Sequence, residues 1–467
     1  MIRQPALLFC ILFVQQLSAQ GFCAGDTVVF TETVHPVDYT DAVYKTAAQI
    51  DEWNFTIPEN IPLRVYYPTD LQAGEKRPLI ALVHGGFFIW GSYLDFDALA
   101  KGFAERGFIA ATIEYRLCHR GDCEVARLTT NPCNVSWGSS FLPSAYVSAV
   151  DVNDGIRWLQ AHADEFHIDP EKVVVAGHSA GAFTALNAAF LDQTEIQQLI
   201  PSAGISGKYL GEALDPVPGI RACISMSGAS FNTDWIEASE VIGENIAVGL
   251  VHGTSDGVVD YGTAVAVPCC QTYNAVVYGG CAVAKRVKEL GGNYYLLSGE
   301  GFGHDIGESP WVETMLVQLP AFVIKTVLCG ENIEKHSAVV RSTPLPMCQG
   351  NNPNLQAAPP CDVDAVTPAV LTPVRELKDV KGPVDLPLIV YQDIHSGLLH
   401  VEAQSPDAAG SWMLTVFAMD GRALRRLPFE IRDAATIDPG DLPAGMYGLY
   451  FQAAKGRRGG MVKVYKQ

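Results

Sequence analysis

Between Leu63 and Leu328, short unbroken apolar runs alternate with segments of helical period, and few folds accept that order. Leu63–Tyr67, Leu79–Val83, Phe108–Ile113, Val173–Ala176, Ala222–Met226, Ile246–Val251 and Tyr294–Leu297 read as strands. Phe96–Glu105, Ser144–Ala163, Ala180–Leu191, Ala282–Leu290 and Trp311–Leu328 carry the apolar spacing of helices, and Gly291-Gly292 stops the fourth. Strands apolar on both faces belong in a sheet covered on both sides. The expected fold class is therefore α/β, with a doubly wound, mostly parallel sheet. Hydrophobic residues make up 48% of the chain, enough to fill the core such a sheet needs.

Within that frame one turn carries chemistry. Gly177-His178-Ser179-Ala180-Gly181 joins the strand Val173–Ala176 to the small-residue helix from Ala180. A serine on so tight a strand-to-helix bend holds its hydroxyl above the sheet's carboxyl edge, and only flanking glycines let the chain pass itself. Ser179 is the expected nucleophile. Upstream, His84-Gly85-Gly86-Phe87-Phe88 leaves the strand Leu79–Val83 as a turn nearly bare of side chains. The N–H groups of Ala180 and of Gly86 or Phe87 are expected to bind an oxyanion. Phe87, Phe88 and Trp90 are candidates to line an apolar substrate pocket, and His84 is expected to be a hydrogen-bonder inside the turn.

An acid and a base should follow the serine in that order. His252-Gly-Thr-Ser-Asp256 leaves the strand Ile246–Val251, which makes Asp256 the natural acid, with Asp260 its rival. Gly301-Phe-Gly303-His304 leaves the strand Tyr294–Leu297, which makes His304 the base. The cysteines lack zinc-like paired spacing and no dinucleotide-type glycine loop follows a strand, so no metal or cofactor is expected.

The stretch from about Leu63 to Val327 resembles the α/β-hydrolase superfamily. The resemblance is to carboxylesterases and the related lipase, feruloyl and acetyl-xylan esterases. It rests on His84-Gly85-Gly86, Tyr115-Arg116-Leu117, Gly177–Gly181, the His252–Asp256 loop and Gly303-His304. It implies an ester substrate and acyl transfer through Ser179 without a cofactor. A serine peptidase of the same fold, and a non-catalytic esterase-like surface binding protein, are the competing readings. The sequence departs from many relatives by having Phe87 where they have a third glycine.

The two ends of the chain lead to the expectation of an exported protein. Arg3 precedes the apolar run Ala6–Val14, and Leu17-Ser-Ala19 supplies the small residues a signal peptidase reads, so residues 1–19 form a signal peptide. The run is too short to span a bilayer. Of twelve cysteines, Cys10 leaves with the signal, and the odd remainder implies disulfides plus at least one free or intermolecular thiol. Local bridges are expected within Cys118/Cys123/Cys133 and within Cys269/Cys270/Cys281, each trio leaving one cysteine over. A net charge of −19 disfavours nucleic acid and anionic membranes as partners.

The catalytic domain is expected over residues 20–329 and a proline-rich linker over 330–387. A small C-terminal β-sandwich is expected over 388–467, built from short strands such as Trp412–Ala418 and Met446–Gln452. In that last region Val416-Phe-Ala-Met-Asp420-Gly421-Arg422, Ile437–Tyr447 and Met461-Val-Lys463-Val resemble the C-terminal sorting domain of the type IX secretion system. The resemblance implies an outer-membrane secretion machinery as partner and a secreted or cell-surface protein.

Overall fold

The computed structural model describes residues 35–46, 60–117, 141–196, 214, 216–265, 276–307, 311–341, 344–345, 361–363, 367–368 and a set of strands between 388 and 466. The expected signal peptide and Cys118, Cys123, Cys133, Cys269 and Cys270 lie outside the described residues. The chain divides into two compact units, Met1–Pro368 and Ala369–Gln467.

The first unit is built on one ten-stranded sheet. Its strands in chain order are β1 (Val37–Thr46), β2 (Asn60–Pro68), β3 (Arg77–Val83), β4 (Ile109–Ile113), β5 (Ile168–His178) and β6 (Ile220–Met226). They continue with β8 (Ala247–Gly253), β11 (Tyr294–Glu300), β12 (Glu334–Val340) and β13 (Thr367–Pro368). Across the sheet they run β1-β2-β4-β3-β5-β6-β8-β11-β12-β13. β1, β2 and β4 pair antiparallel, and every pair from β4 onward is parallel. A second, three-stranded antiparallel sheet sets β10 (Val276–Gly279) between β7 (Ala229–Ser230) and β9 (Thr263–Val265).

Among the described residues the α-helices of this unit are α1 (Asp97–Ala104), α2 (Phe141–Ala161), α3 (Ala180–Phe190), α4 (Gly280–Glu289) and α5 (Trp311–Val323), each within a few residues of its expected place. This is the α/β-hydrolase fold. Chain order reverses where β3 sits between β4 and β5, and at such a point loops part to leave a crevice at the carboxyl ends of the strands.

Two features follow directly from composition. The α3 sequence AGAFTALNAAF is buried at all eleven positions, as a helix apolar on every side must be. Its few polar groups are satisfied internally. Thr184 donates to the Ala180 carbonyl at 3.0 Å and shares a 2.8 Å hydrogen bond with Ser148 of α2. Buried charge ties the antiparallel end together. Asp151 of α2 accepts from Arg116, at 2.7 Å at its shortest, and from Lys45 of β1 at 2.8 Å. Burial opposes ionisation of Asp151, but the two cations prevail and hold its carboxyl below the ordinary range.

The boundary expected at residue 329 falls later. Glu334–Val340, inside the expected linker, pairs in parallel with β11 over its whole length, and β13 pairs with β12. Prolines still surround these strands, but β11 is a central strand whose second edge needs a partner. A disulfide joins Cys281 at the start of α4 to Cys361 across 80 residues, so Cys281 pairs outside its trio. Cys329 is also disulfide-bonded, and Cys223 is a buried free thiol.

The second unit holds two antiparallel sheets, one of β14 (Leu388–Gln392), β15 (Leu399–Ala403) and β18 (Ala434–Ile437). The other orders β17 (Ala423–Ile431), β16 (Gly410–Ala418), β19 (Gly445–Ala453) and β20 (Gly459–Lys466).

Candidate active site

Ser179 stands alone between β5 and α3 with φ 55° and ψ −122°, a conformation that a side chain occupies at a cost of roughly 1–3 kcal/mol. The flanking glycines make it possible. A Cβ at Gly177 would lie 2.1 Å from the Gly181 carbonyl oxygen, and one at Gly181 would lie 2.1 Å from that of Val83. No larger residue fits either place. The Ser179 N–H is tied to the Met226 carbonyl of the neighbouring strand at 2.9 Å.

Two loops from adjacent strands meet this serine. His304, beyond β11, places Nε2 2.8 Å from Ser179 Oγ and Nδ1 2.7 Å from Asp256 Oδ2. Asp256, beyond β8, has 0% exposure. Its Oδ1 accepts the N–H groups of Val258 at 2.8 Å and Val259 at 2.9 Å, which leaves Oδ2 aimed at His304. Burial alone would raise this carboxyl. The facing charge of His304 and hydrogen bonds from His252 and His304 outweigh burial and hold it well below the usual carboxylate range. The β8 and β11 loops are laced together, because Ser255 N–H donates to the Phe302 carbonyl at 2.9 Å and Gly301 N–H to Thr254 Oγ1 at 2.9 Å. The rival acid is occupied elsewhere, since Asp260 Oδ1 accepts the Gly262 N–H at 2.7 Å within its own turn.

The glycine turn after β3 lies over the same point. A Cβ built on Gly85 would sit 3.1 Å from Ser179 Cβ, and Gly86 has φ +108°. Phe87 and Phe88 follow at φ 57° and 61°, so the strain a third glycine would relieve is carried by two aromatic residues. His84 braces the turn from below, with Nδ1 2.8 Å from the Gly85 carbonyl and Nε2 2.8 Å from Glu114 Oε1. Tyr115 donates to the His84 carbonyl at 3.0 Å. Ala180 is the first residue of α3, where an N–H has no acceptor inside its own helix.

Of the three aromatic residues expected at a pocket, Phe88 is only 1% exposed and meets Tyr115 edge-on at 6.3 Å. It belongs to the core, because its left-handed backbone turns the ring inward. Phe87 and Trp90 stay half-buried, edge-on to one another at 6.3 Å.

Sequence reasoning passed over Glu114 and the contact of His252 with Asp256. Both are polar residues in apolar runs beside the motifs, and nothing in their spacing says where their side chains go. Among the described residues the one group of potential metal ligands is Cys281, Cys361 and Asp362. Its two sulfurs are joined in a disulfide, so neither is a thiolate ligand.

Residues 59–210 match the model of the carboxylesterase family. The matched segment runs from β2 past α3 and so includes the glycine turn and Ser179, while Asp256 and His304 lie beyond it. Carboxylesterase 3B of Mus musculus is 30% identical over 168 residues, 35% of this chain and 27% of its own length. Carboxylesterase 3 of Homo sapiens is 31% identical over 184 residues, 38% of this chain and 30% of its own. The non-reducing polyketide synthase Preu3 of Preussia isomera is 27% identical over 167 residues, 6% of its length. This chain thus spans less than a third of the length of the curated relatives it matches. Among solved structures, the apo form of Thermogutta terrifontis esterase 2 aligns with a TM-score of 0.41 and 18% identity, over 62% of this chain and 95% of that one.

Proposed function

We propose that this chain is an exported serine carboxylic ester hydrolase working through an acyl-enzyme on Ser179. The observation that carries the reading is the hydrogen-bonded line from Ser179 Oγ through His304 to Asp256 Oδ2. Ser179 Oγ attacks the ester carbonyl while its proton passes to His304 Nε2. Asp256 holds the other ring proton on Nδ1 and stabilises the imidazolium so formed. The N–H groups of Ala180 and of Gly86 or Phe87 take the oxyanion. His304 then protonates the leaving alcohol, and water, activated by the same base, releases the acid. Phe87 and Trp90 offer an apolar wall for one side of the ester. The carboxylesterase match over residues 59–210 favours an ester over a peptide. The C-terminal unit, Ala369–Gln467, acts in sorting across an outer membrane and takes no part in the chemistry.

The experiment is hydrolysis of p-nitrophenyl esters of rising acyl length by the full chain, beside labelling with a fluorophosphonate. Turnover and labelling at Ser179 are expected, and Ser179→Ala should lower kcat by about 10⁶. Undiminished hydrolysis by Ser179→Ala would move the nucleophile elsewhere.

A further inference from the structure

Asp256 faces a second histidine. His252, at the end of β8 and 1% exposed, lies with Nε2 3.3 Å from Asp256 Oδ2, the same oxygen that accepts from His304. The other side of its ring settles where its proton sits. Nδ1 is 3.0 Å from the backbone nitrogen of Gly280, the first residue of α4. A backbone N–H can only donate, so Nδ1 accepts and the ring proton is on Nε2. That proton meets the Val259 carbonyl at 3.0 Å, and Asp256 Oδ2 stands 3.3 Å from the same nitrogen. The approach of α4 depends on glycine, since a Cβ at Gly280 would lie 3.0 Å from His252 Cβ and 3.2 Å from Nδ1. The ring of Tyr261 closes the remaining side edge-on at 5.6 Å.

We infer that His252 is a positioning residue of the proposed esterase, whose Nε2–H shares Asp256 Oδ2 with His304 and sets how strongly that oxygen holds the base. The inference rests on the functional reading above. With Oδ1 pinned by two backbone N–H groups, His252 fixes the remaining oxygen in place. It also draws charge from Oδ2, so the carboxylate stabilises the His304 imidazolium less than it otherwise would. Removing the donor lets the carboxylate rock and gives His304 the whole of the acceptor. The ionisable groups facing this pair are His304 from the loop beyond β11 and His178 at the end of β5, with Asp260 and Tyr261 from the turn beyond β8.

The test is made on the full chain with two substitutions. His252→Leu should lower kcat about tenfold with KM within about twofold, the loss of one hydrogen bond to a charged group. It should also move the acid limb of the kcat/KM profile up by about one pH unit. His252→Gln, which keeps an N–H near the same place, should restore both. A Leu variant with an unmoved acid limb, or a Gln variant no better than Leu, would overturn the inference. Nitrogen-15 NMR of the histidine-labelled native protein reads the same arrangement without a substitution at the site. The expected result is a His252 ring protonated at Nε2 alone, and a ring protonated at Nδ1 sinks the idea even if both variants fail to fold. If instead the native protein neither turns over esters nor labels at Ser179, the esterase reading fails, while the NMR result still decides the hydrogen bond.

Discussion

His178, the second residue of the elbow, is surrounded by the groups it sits between. Its Nε2 donates to the His304 carbonyl at 3.1 Å, and its ring lies 5.1 Å from that of His304. Burial first, and the nearby His304 charge second, push its pKa from 6.5 down to about 4. Between those two values the unfolded chain binds a proton at His178 that the folded chain excludes, so stability rises with pH across the window and is lost on acidification. His178→Gln, which keeps the donor and cannot titrate, should flatten the pH dependence of the urea midpoint between about pH 6.5 and 4. An unchanged slope would show that other groups set the acid limit.

The two candidate acids differ in a way that kinetics can read. Asp256→Asn leaves Oδ1 its backbone donors but sets an amide against two ring N–H groups, so the His304 tautomer flips and kcat should fall by about 10⁴. Asp260→Asn, confined to its own turn, should stay within about threefold of the parent, a difference well under ~1 kcal/mol. Ser179, His304 and Asp256, which the structure brings into one hydrogen-bonded line, could be picked out at this scale because each follows an apolar run at a glycine-marked exit. The brace of Glu114 under His84 was not, since a single carboxylate inside a strand exit carries no spacing signal.

At the scale of elements, central strands were legible and edge strands were not. β3, β4 and β5 present unbroken apolar runs because both faces are covered. β1 reads VDYTDAVYKT and buries only Tyr44 and Lys45, so its polar residues hide the strand. β12 reads EKHSAVV and sits among prolines, and only its pairing with β11 reveals what it does. Truncation tests the consequence. A chain ending after Pro368 should keep the parent kcat and thermal midpoint. One ending after Gly330 loses β12, β13 and Cys361, leaving β11 unpaired on one edge and Cys281 without its partner. The lost disulfide alone should cost about 2–4 kcal/mol, and the shorter chain should be recovered as inactive aggregate, since exposed strand edges recruit other chains. Full activity in the shorter chain would make β12 dispensable.

For the molecule as a whole, the division into Met1–Pro368 and Ala369–Gln467 separates the proposed chemistry from the proposed export. Removal of the second unit in the native host should leave active enzyme inside the outer membrane. Its appearance in the medium would end the sorting proposal.

The order in which the first unit is completed has a further effect. Every residue of the proposed catalytic line has been synthesised by His304, yet β12, which covers β11, and Cys361, which fastens α4, come later in the chain. An emerging chain therefore carries a full set of reactive side chains on a sheet still open at one edge. Its bridge to α4 also requires an oxidant. Completion of the first unit is thus timed by its own tail end, and on the proposed reading an emerging chain stays without activity until its last strand arrives.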